Sequence, residues 1–210
     1  MQVVPIVLCC DSRSVLHLDL LVHSIKTNVP GAQLYLITDR EGVFAPWAHK
    51  IGVCSFSLSK TPFRRITHHM WYRCMIPDIF PELERCIYLD FDTLVLKDIG
   101  SLLDGDFVLR AAYYNGDIFN SGVLAFNFTA ECKELLKECM AQASESTFDQ
   151  DIMNKVFRGK VDFVDQAYNA TADLYGAVVS DPIVVHYLGE LKPWHLHVHF
   201  KHWFKYAGLV

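Results

Sequence analysis

At 210 residues, 51% hydrophobic, 13% aromatic and only 20% charged, the chain carries enough apolar material for one sizeable core, which excludes a disordered tail. A net charge of −5 without any Lys/Arg block excludes a nucleic-acid clamp, since counterion release needs clustered cations. No apolar run reaches the roughly 18 to 20 residues of a bilayer-spanning helix.

The N-terminal Val3–Cys10 has no basic stretch before it and reads as a buried strand rather than a signal peptide. Val15–Lys26 follows with Leu18, Leu21, Val22 and Ile25 at helical spacing. Pro30-Gly31 punctuates the chain before a strand at Gln33–Thr38, and Lys50–Phe56 reads as a third. Thr67–Ile76 predicts a helix closed by Pro77. Arg85–Leu89 is a strand running into Asp90-Phe91-Asp92, and Phe107–Ala112 and Ser121–Asn127 are two more. Helices are predicted over Ala130–Ala143 and Phe148–Phe157, with strands at Val161–Val164 and Ile183–Tyr187. This alternation predicts a single layered α/β domain over 1–210, with a mainly parallel central sheet flanked by helices. Ligands of such sheets bind beyond the carboxyl ends of the strands.

The seven cysteines are odd in number, never form a CxxC pair and lie mostly among apolar neighbours. That usage predicts reduced buried thiols and a reducing, cytoplasmic compartment, where the sequons at Asn127 and Asn169 carry little weight.

The most informative segment is Arg85-Cys86-Ile87-Tyr88-Leu89-Asp90-Phe91-Asp92-Thr93. An apolar strand delivers two carboxylates at i and i+2, on the same side of an extended chain. Like charges that close need a compensating cation, and a hard divalent ion is the natural one. An ordinary acidic strand exit is the bland alternative for so short a motif. Two enzyme classes fit as well: a haloacid-dehalogenase-type phosphatase, whose DxDxT pattern Asp90–Thr93 matches, and a metal-dependent glycosyltransferase. About ninety residues precede the motif, whereas such phosphatases usually place it on their first strand.

Three further blocks follow in order: Phe119-Asn120-Ser121-Gly122-Val123, Phe148-Asp149-Gln150-Asp151-Ile152-Met153-Asn154, and His186-Tyr187-Leu188-Gly189-Glu190-Leu191-Lys192-Pro193-Trp194. With the DxD segment they resemble family-8-type retaining glycosyltransferases, the group of glycogenin and bacterial lipopolysaccharide galactosyltransferases. The resemblance runs from Cys9 to about Trp194. It implies a GT-A-type (Rossmann-like) fold and hexose transfer from a UDP-sugar to a glycan or glycoprotein acceptor, with retention of configuration. It implies Mn²⁺ or Mg²⁺ held by Asp90, Asp92 and His186. Cys10, Asp11, Arg73, Phe91, Asn120, Ser121, Gly189 and Lys192 would contact the donor. Asp149, Gln150 and Lys192 would carry the chemistry, Gln150 being too weak a nucleophile for a comfortable covalent intermediate. Asp117 is a marginal addition.

Ordinary structural roles stand beside these. Asp11 would equally serve as a helix N-cap, Asp149 as a helix-dipole partner, His186 as a core histidine and Lys192 as a solvated lysine, while Trp71 and Tyr72 read as core aromatics. A UDP-sugar-binding module without catalysis is the alternative from another class. Phe91 stands where many relatives have Ala, placing a bulky ring near the donor. In the tail, His195, His197, His199 and His202 suggest zinc, but no Cys or carboxylate neighbours complete a four-ligand site. Packing on the sheet, or peripheral membrane contact through the aromatics with Lys201 and Lys205, fits better. The brevity of the chain suggests a catalytic module cut from or tethered to something larger.

Overall fold

The computed structural model describes residues 2–56, 68–144, 146–173, 176–177, 179–189, 192 and 194. Its main sheet runs through β1 (Val4–Cys9), β2 (Ala32–Thr38), β3 (Lys50–Val53), β4 (Arg85–Asp90), β6 (Leu109–Asn115), β7 (Ile118–Asn127) and β8 (Val161–Val164), in the order β3-β2-β1-β4-β7-β6-β8. A smaller sheet holds β5 (Thr93–Val95), β9 (Ala170–Asp173), β10 (Gly176–Ala177) and β11 (Val184–Tyr187), in the order β10-β9-β11-β5. The helices are α1 (Asp19–Asn28), the short α2 (Ile76–Ile79), α3 (Ala130–Ala141) and α4 (Asp149–Val156).

Strands β3, β2, β1 and β4 are parallel; β7 is antiparallel to both β4 and β6, and β8 returns parallel to β6. The period of two sorts β1 between both faces. Ile6 and Leu8 pack with Leu21 and Ile25 of α1 on one face. Val7 and Cys9 pack with Trp71, Tyr72 and Leu136 of α3 on the other. Burial on both faces explains why these strands read as continuous apolar runs. Trp71 and Tyr72 are core aromatics, as expected. All seven cysteines are free and buried, and Asn127 and Asn169 are buried too. Among the described residues no helix is long and apolar enough to cross a membrane.

Two local expectations are corrected. His68–Met75 is a 3-10 helix, and Pro77 lies in the first turn of α2 rather than ending a helix. Proline is tolerated there because a first-turn N–H has no intrahelical acceptor to lose. Strand β7 begins at Ile118, three residues earlier than the apolar run suggests, so Asn120 and Ser121 sit inside it. The cause is a two-residue hairpin turn with Gly116 at φ +58°, a first-position glycine that lets β6 and β7 pair to Asn115 and Ile118. The expected histidine-rich tail, 195–210, lies outside the described residues.

Candidate active site

Strand order reverses at β1, which has β2 on one side and β4 on the other. A crevice opens beyond the carboxyl ends at such a switch point. Asp90, the last residue of β4, faces Cys9 there. The chain then leaves the main sheet in a tight turn, closed by Thr93 Oγ1 donating to the Asp90 carbonyl at 2.7 Å. It enters β5, whose Thr93 pairs with His186 of β11. Antiparallel pairing of β4 with β7, Leu89 opposite Val123, lays Asn120-Ser121-Gly122 alongside the acidic pair. Three segments far apart in the chain thus meet where the two sheets join.

Each member of the acidic cluster is pinned on one side by a protein partner and faces the rest of the cluster on the other. Asp90 Oδ1 accepts from Arg73 Nη2 at 2.9 Å and from the Tyr88 hydroxyl, while its Oδ2 lies 3.6 Å from His186 Nε2. Asp92 Oδ2 accepts from Lys192 Nζ at 2.6 Å, while its Oδ1 lies 3.3 Å from the same Nε2. His186 Nδ1 is held by Asn169 Oδ1 at 3.0 Å. The cluster's ligand atoms all lie within 4.8 Å of one another. Gly122 makes room for it, because a Cβ there would run into the His186 ring. Two carboxylate oxygens and an imidazole nitrogen could hold a divalent metal ion.

Behind the cluster the Arg73 guanidinium is almost fully buried. It donates to the carbonyls of Met70 (2.9 Å) and Ser121, pairs with Asp149 Oδ2 at 3.1 Å and lies 4.4 Å from the Tyr88 ring centre. Burial opposes its charge, but Asp149 and Asp90 outweigh burial and hold it protonated. For Asp92 burial likewise pushes the carboxyl up, but His186 and Lys192 overcome it and hold the group below its ordinary value. Asp149, the first residue of α4, goes the other way: burial raises it, and Arg73 offsets only part of the rise. Gln150 Oε1 accepts from Asn120 Nδ2 (2.9 Å) and the Ser121 amide (3.2 Å). Lys192 also donates to the Tyr187 carbonyl at 2.8 Å.

The structure therefore brings together Asp90, Asp92, His186, Lys192, Arg73, Asn120, Ser121, Asp149 and Gln150. The remaining candidates stand around this network. Cys10 is buried at the end of β1, its thiol pushed up to about 12 by burial and then by Asp11 and Asp39. Asp11 Oδ1 accepts from the amides of Arg13 (2.9 Å) and Ser14 (2.7 Å), so it caps the turn that opens the 3-10 helix Ser14–His17. Phe91 packs against Trp194, ring centres 5.6 Å apart, and Trp194 stacks on His17 at 4.8 Å. Gly189 takes φ +85°, a left-handed conformation that other residues rarely adopt. Asp117 sits in the hairpin turn after β6, lining a surface cavity with Asp151 and Arg158, and takes no part in the network.

Three participants escape sequence reasoning. Tyr88 lies two residues before Asp90 on the same strand face, a position the period of two reveals once Asp90 is suspected. Asn154, one turn after Gln150, clamps Phe119: its Oδ1 accepts from the Phe119 amide and its Nδ2 donates to the Phe119 carbonyl, both at 2.9 Å. Asn169 is visible beforehand only as part of a sequon.

Known proteins resemble the chain in sequence and in fold. The model of glycosyl transferase family 8 matches residues 55–197, more than half of the chain. The chain belongs to glycosyl transferase family 8. Human glycogenin-2 is 33% identical over 124 residues, covering 52% of this chain and 25% of that protein. A lipopolysaccharide 1,3-galactosyltransferase of Salmonella typhimurium is 27% identical over 168 residues, covering 61% of this chain and 50% of its own. The chain thus spans a quarter to a half of the length of these curated relatives. An active-site mutant of LgtC superposes with a TM-score of 0.77 at 19% identity, covering 98% of this chain and 94% of that one. The galactosyltransferase LgtC with donor and acceptor sugar analogs gives 0.74 at 20% identity, with the same coverage. The fold is therefore GT-A. Membership of a glycosyltransferase family rules out the phosphatase reading of Asp90–Thr93.

Proposed function

We propose that the chain transfers a hexosyl group from a UDP-sugar to a hydroxyl of a glycan or glycoprotein acceptor, with retention of anomeric configuration and dependence on Mn²⁺ or Mg²⁺. The carrying observation is the half-pinned cluster: Asp90 Oδ2, Asp92 Oδ1 and His186 Nε2 converge, while every opposite atom is held by a protein partner. In this reading those three atoms hold the ion, which when bound neutralises charge on the departing diphosphate.

The chain's own residues account for the rest. Lys192 sits on Asp92, where a modest swing of its stem would carry the ammonium to a phosphate oxygen. The left-handed Gly189 turn brings unobstructed backbone to the same diphosphate. Both oppose the charge that grows as the glycosidic bond breaks, which is electrostatic catalysis of the leaving group. Cys10, Asp11 and Phe91 flank the base and ribose. Asn120 and Ser121 bound the sugar from the other side, Asp149 orients its hydroxyls, and Arg73, expected to reach the donor, instead holds Asp90 and Asp149 from behind. The Gln150 carbonyl oxygen, already aimed by Asn120 and Ser121, supports the electron-poor anomeric carbon. An amide there favours front-face transfer, in which the departing phosphate oxygen takes the acceptor proton.

A panel of UDP-sugars, assayed for Mn²⁺-dependent hydrolysis and transfer with EDTA as control, tests the reading. One donor is expected to be consumed only with metal, and Asp92→Asn is expected to lose more than the roughly 100-fold that outer-shell changes around a metal cost. NMR of the first-formed product is expected to show the donor's configuration. Full activity in Asp92→Asn would refute the metal ligands, an inverted product would refute retention, and UDP binding without turnover would leave a binding module.

A further inference from the structure

The tautomer of His186 is dictated from outside the acidic cluster by a short relay of amides. The Gly122 backbone N–H donates to Asn120 Oδ1 at 3.0 Å, and Asn120 Nδ2 is committed to Gln150 Oε1 at 2.9 Å, which fixes the orientation of the Asn120 amide. Asn169 Nδ2 then donates to both the Asn120 carbonyl and Asn120 Oδ1, each at 3.1 Å. Rotating the Asn169 amide by half a turn would set its oxygen against those two acceptors, so the observed orientation is the one the surroundings permit. Its Oδ1 is thereby the atom presented to His186 Nδ1 at 3.0 Å. An oxygen with no proton of its own requires Nδ1 to carry one, so Nε2, between Asp90 and Asp92, is the nitrogen left for a metal to take.

We propose that Asn169 is a positioning residue for the metal site: it fixes the imidazole of His186 as the Nδ1–H tautomer with Nε2 coordinating, and it ties that ligand to the Asn120–Gln150 pair beside the sugar. The proposal rests on the metal reading above and adds to it the residue that orients one ligand. Its place in the fold suits the role. Asn169 closes the 3-10 helix Gln166–Asn169 immediately before β9, and β9 pairs with β11 so that Thr171 lies opposite His186. Asn169 is itself buried, so bulk water does not compete for its bonds and its side chain is unavailable as a glycosylation acceptor in the folded protein.

Metal-binding histidines generally rely on such an outer partner, and losing it typically costs about 10- to 100-fold in metal affinity. Mn²⁺ affinity of the whole chain, measured by EPR or calorimetry, is therefore expected to fall by about that factor in Asn169→Ala. Asn169→Asp keeps an acceptor for Nδ1–H but loses both donations to Asn120. It is expected to hold Mn²⁺ within a few-fold of wild type while binding UDP-sugar more weakly. Heteronuclear NMR of the wild-type His186 side chain with Mg²⁺ needs no variant, and is expected to show the proton on Nδ1. A proton on Nε2, or unchanged Mn²⁺ affinity in folded Asn169→Ala, would overturn this assignment alone. A wild-type chain that bound no Mn²⁺ would overturn the metal reading and this assignment with it.

Discussion

Asp92 and Asp149 are two buried carboxylates of one site, yet their surroundings push them in opposite directions. Asp92 lies where the sheets join and has His186 at 3.3 Å and the Lys192 ammonium at 2.6 Å, so attraction outweighs burial. Asp149 opens α4 and has Arg73 at 3.1 Å, but Arg73 also serves Asp90, whose own charge pushes Asp149 up. The difference lies in how cations are divided rather than in depth. Asp92 has Lys192 on one oxygen and His186 on the other, and it is held toward the anion, the state a metal ligand needs. Asp149 shares its partner, and its carboxyl is held above its ordinary value. Environments that drive paired carboxyls apart are how a single site obtains two chemical roles from one residue type.

The largest break in this arrangement is expected from Arg73→Met. It leaves Asp90 and Asp149 facing each other with their shared cation gone. Removing one partner of a buried ion pair typically costs about 3–5 kcal/mol. Urea unfolding of the metal-free chain is expected to show a loss in that range, and a loss under about 1 kcal/mol, the surface-pair range, would mean that Arg73 does not organise the acids.

How much of this was readable beforehand follows from how far each contact reaches along the chain. The DxD pair, the Asn120–Gly122 block and the Asp149–Asp151 block are contiguous patterns, and the long apolar strands and α1 announce themselves by period. Of the small sheet only β11 does, as the predicted strand Ile183–Tyr187. Thr93–Val95 and Gly176–Ala177 are too short to carry any period: the first is placed by pairing across some ninety residues, as Thr93 with His186, and the second by antiparallel pairing with β9. Everything that depends on that pairing was hidden with it, including the orientation of His186 and the role of Asn169. The division of Arg73 between two acids was equally illegible, because an arginine seventeen residues before an aspartate looks the same whether it faces substrate or protein. Pro77 misled for a local reason: a proline after a helical pattern marks a stop or a first turn equally well.

A titration of stability sharpens the contrast between the two acids. The folded-state value of Asp92 lies below its unfolded one, so its contribution is present above the ordinary carboxylate range near 4 and is lost as pH falls through that range. The folded-state value of Asp149 lies above its unfolded one. Its contribution is therefore present at low pH and is lost as pH rises through the folded value. Wild-type stability minus that of Asp92→Asn, measured without metal from pH 3 to 7, is expected to grow with pH. The same difference for Asp149→Asn is expected to shrink. Slopes of the same sign would show that both carboxyls share one environment.

Ser121→Ala gives the smallest and most selective effect. The Ser121 hydroxyl donates to Asp149 Oδ2 at 3.3 Å, a long bond that helps to lower the Asp149 carboxyl. Deleting it leaves the Ser121 carbonyl on Arg73 and its amide on Gln150, since both are backbone groups. A single hydrogen bond of this kind is worth about 0.5–1.5 kcal/mol net. Asp149 is then expected to rise further, carrying its falling limb of stability to higher pH, while the Asp92 limb stays where it is. A variant that moved both limbs would mean that the two carboxyls titrate as one coupled pair through Asp90 and Arg73. An unmoved Asp149 limb would show that burial and Arg73 alone decide it.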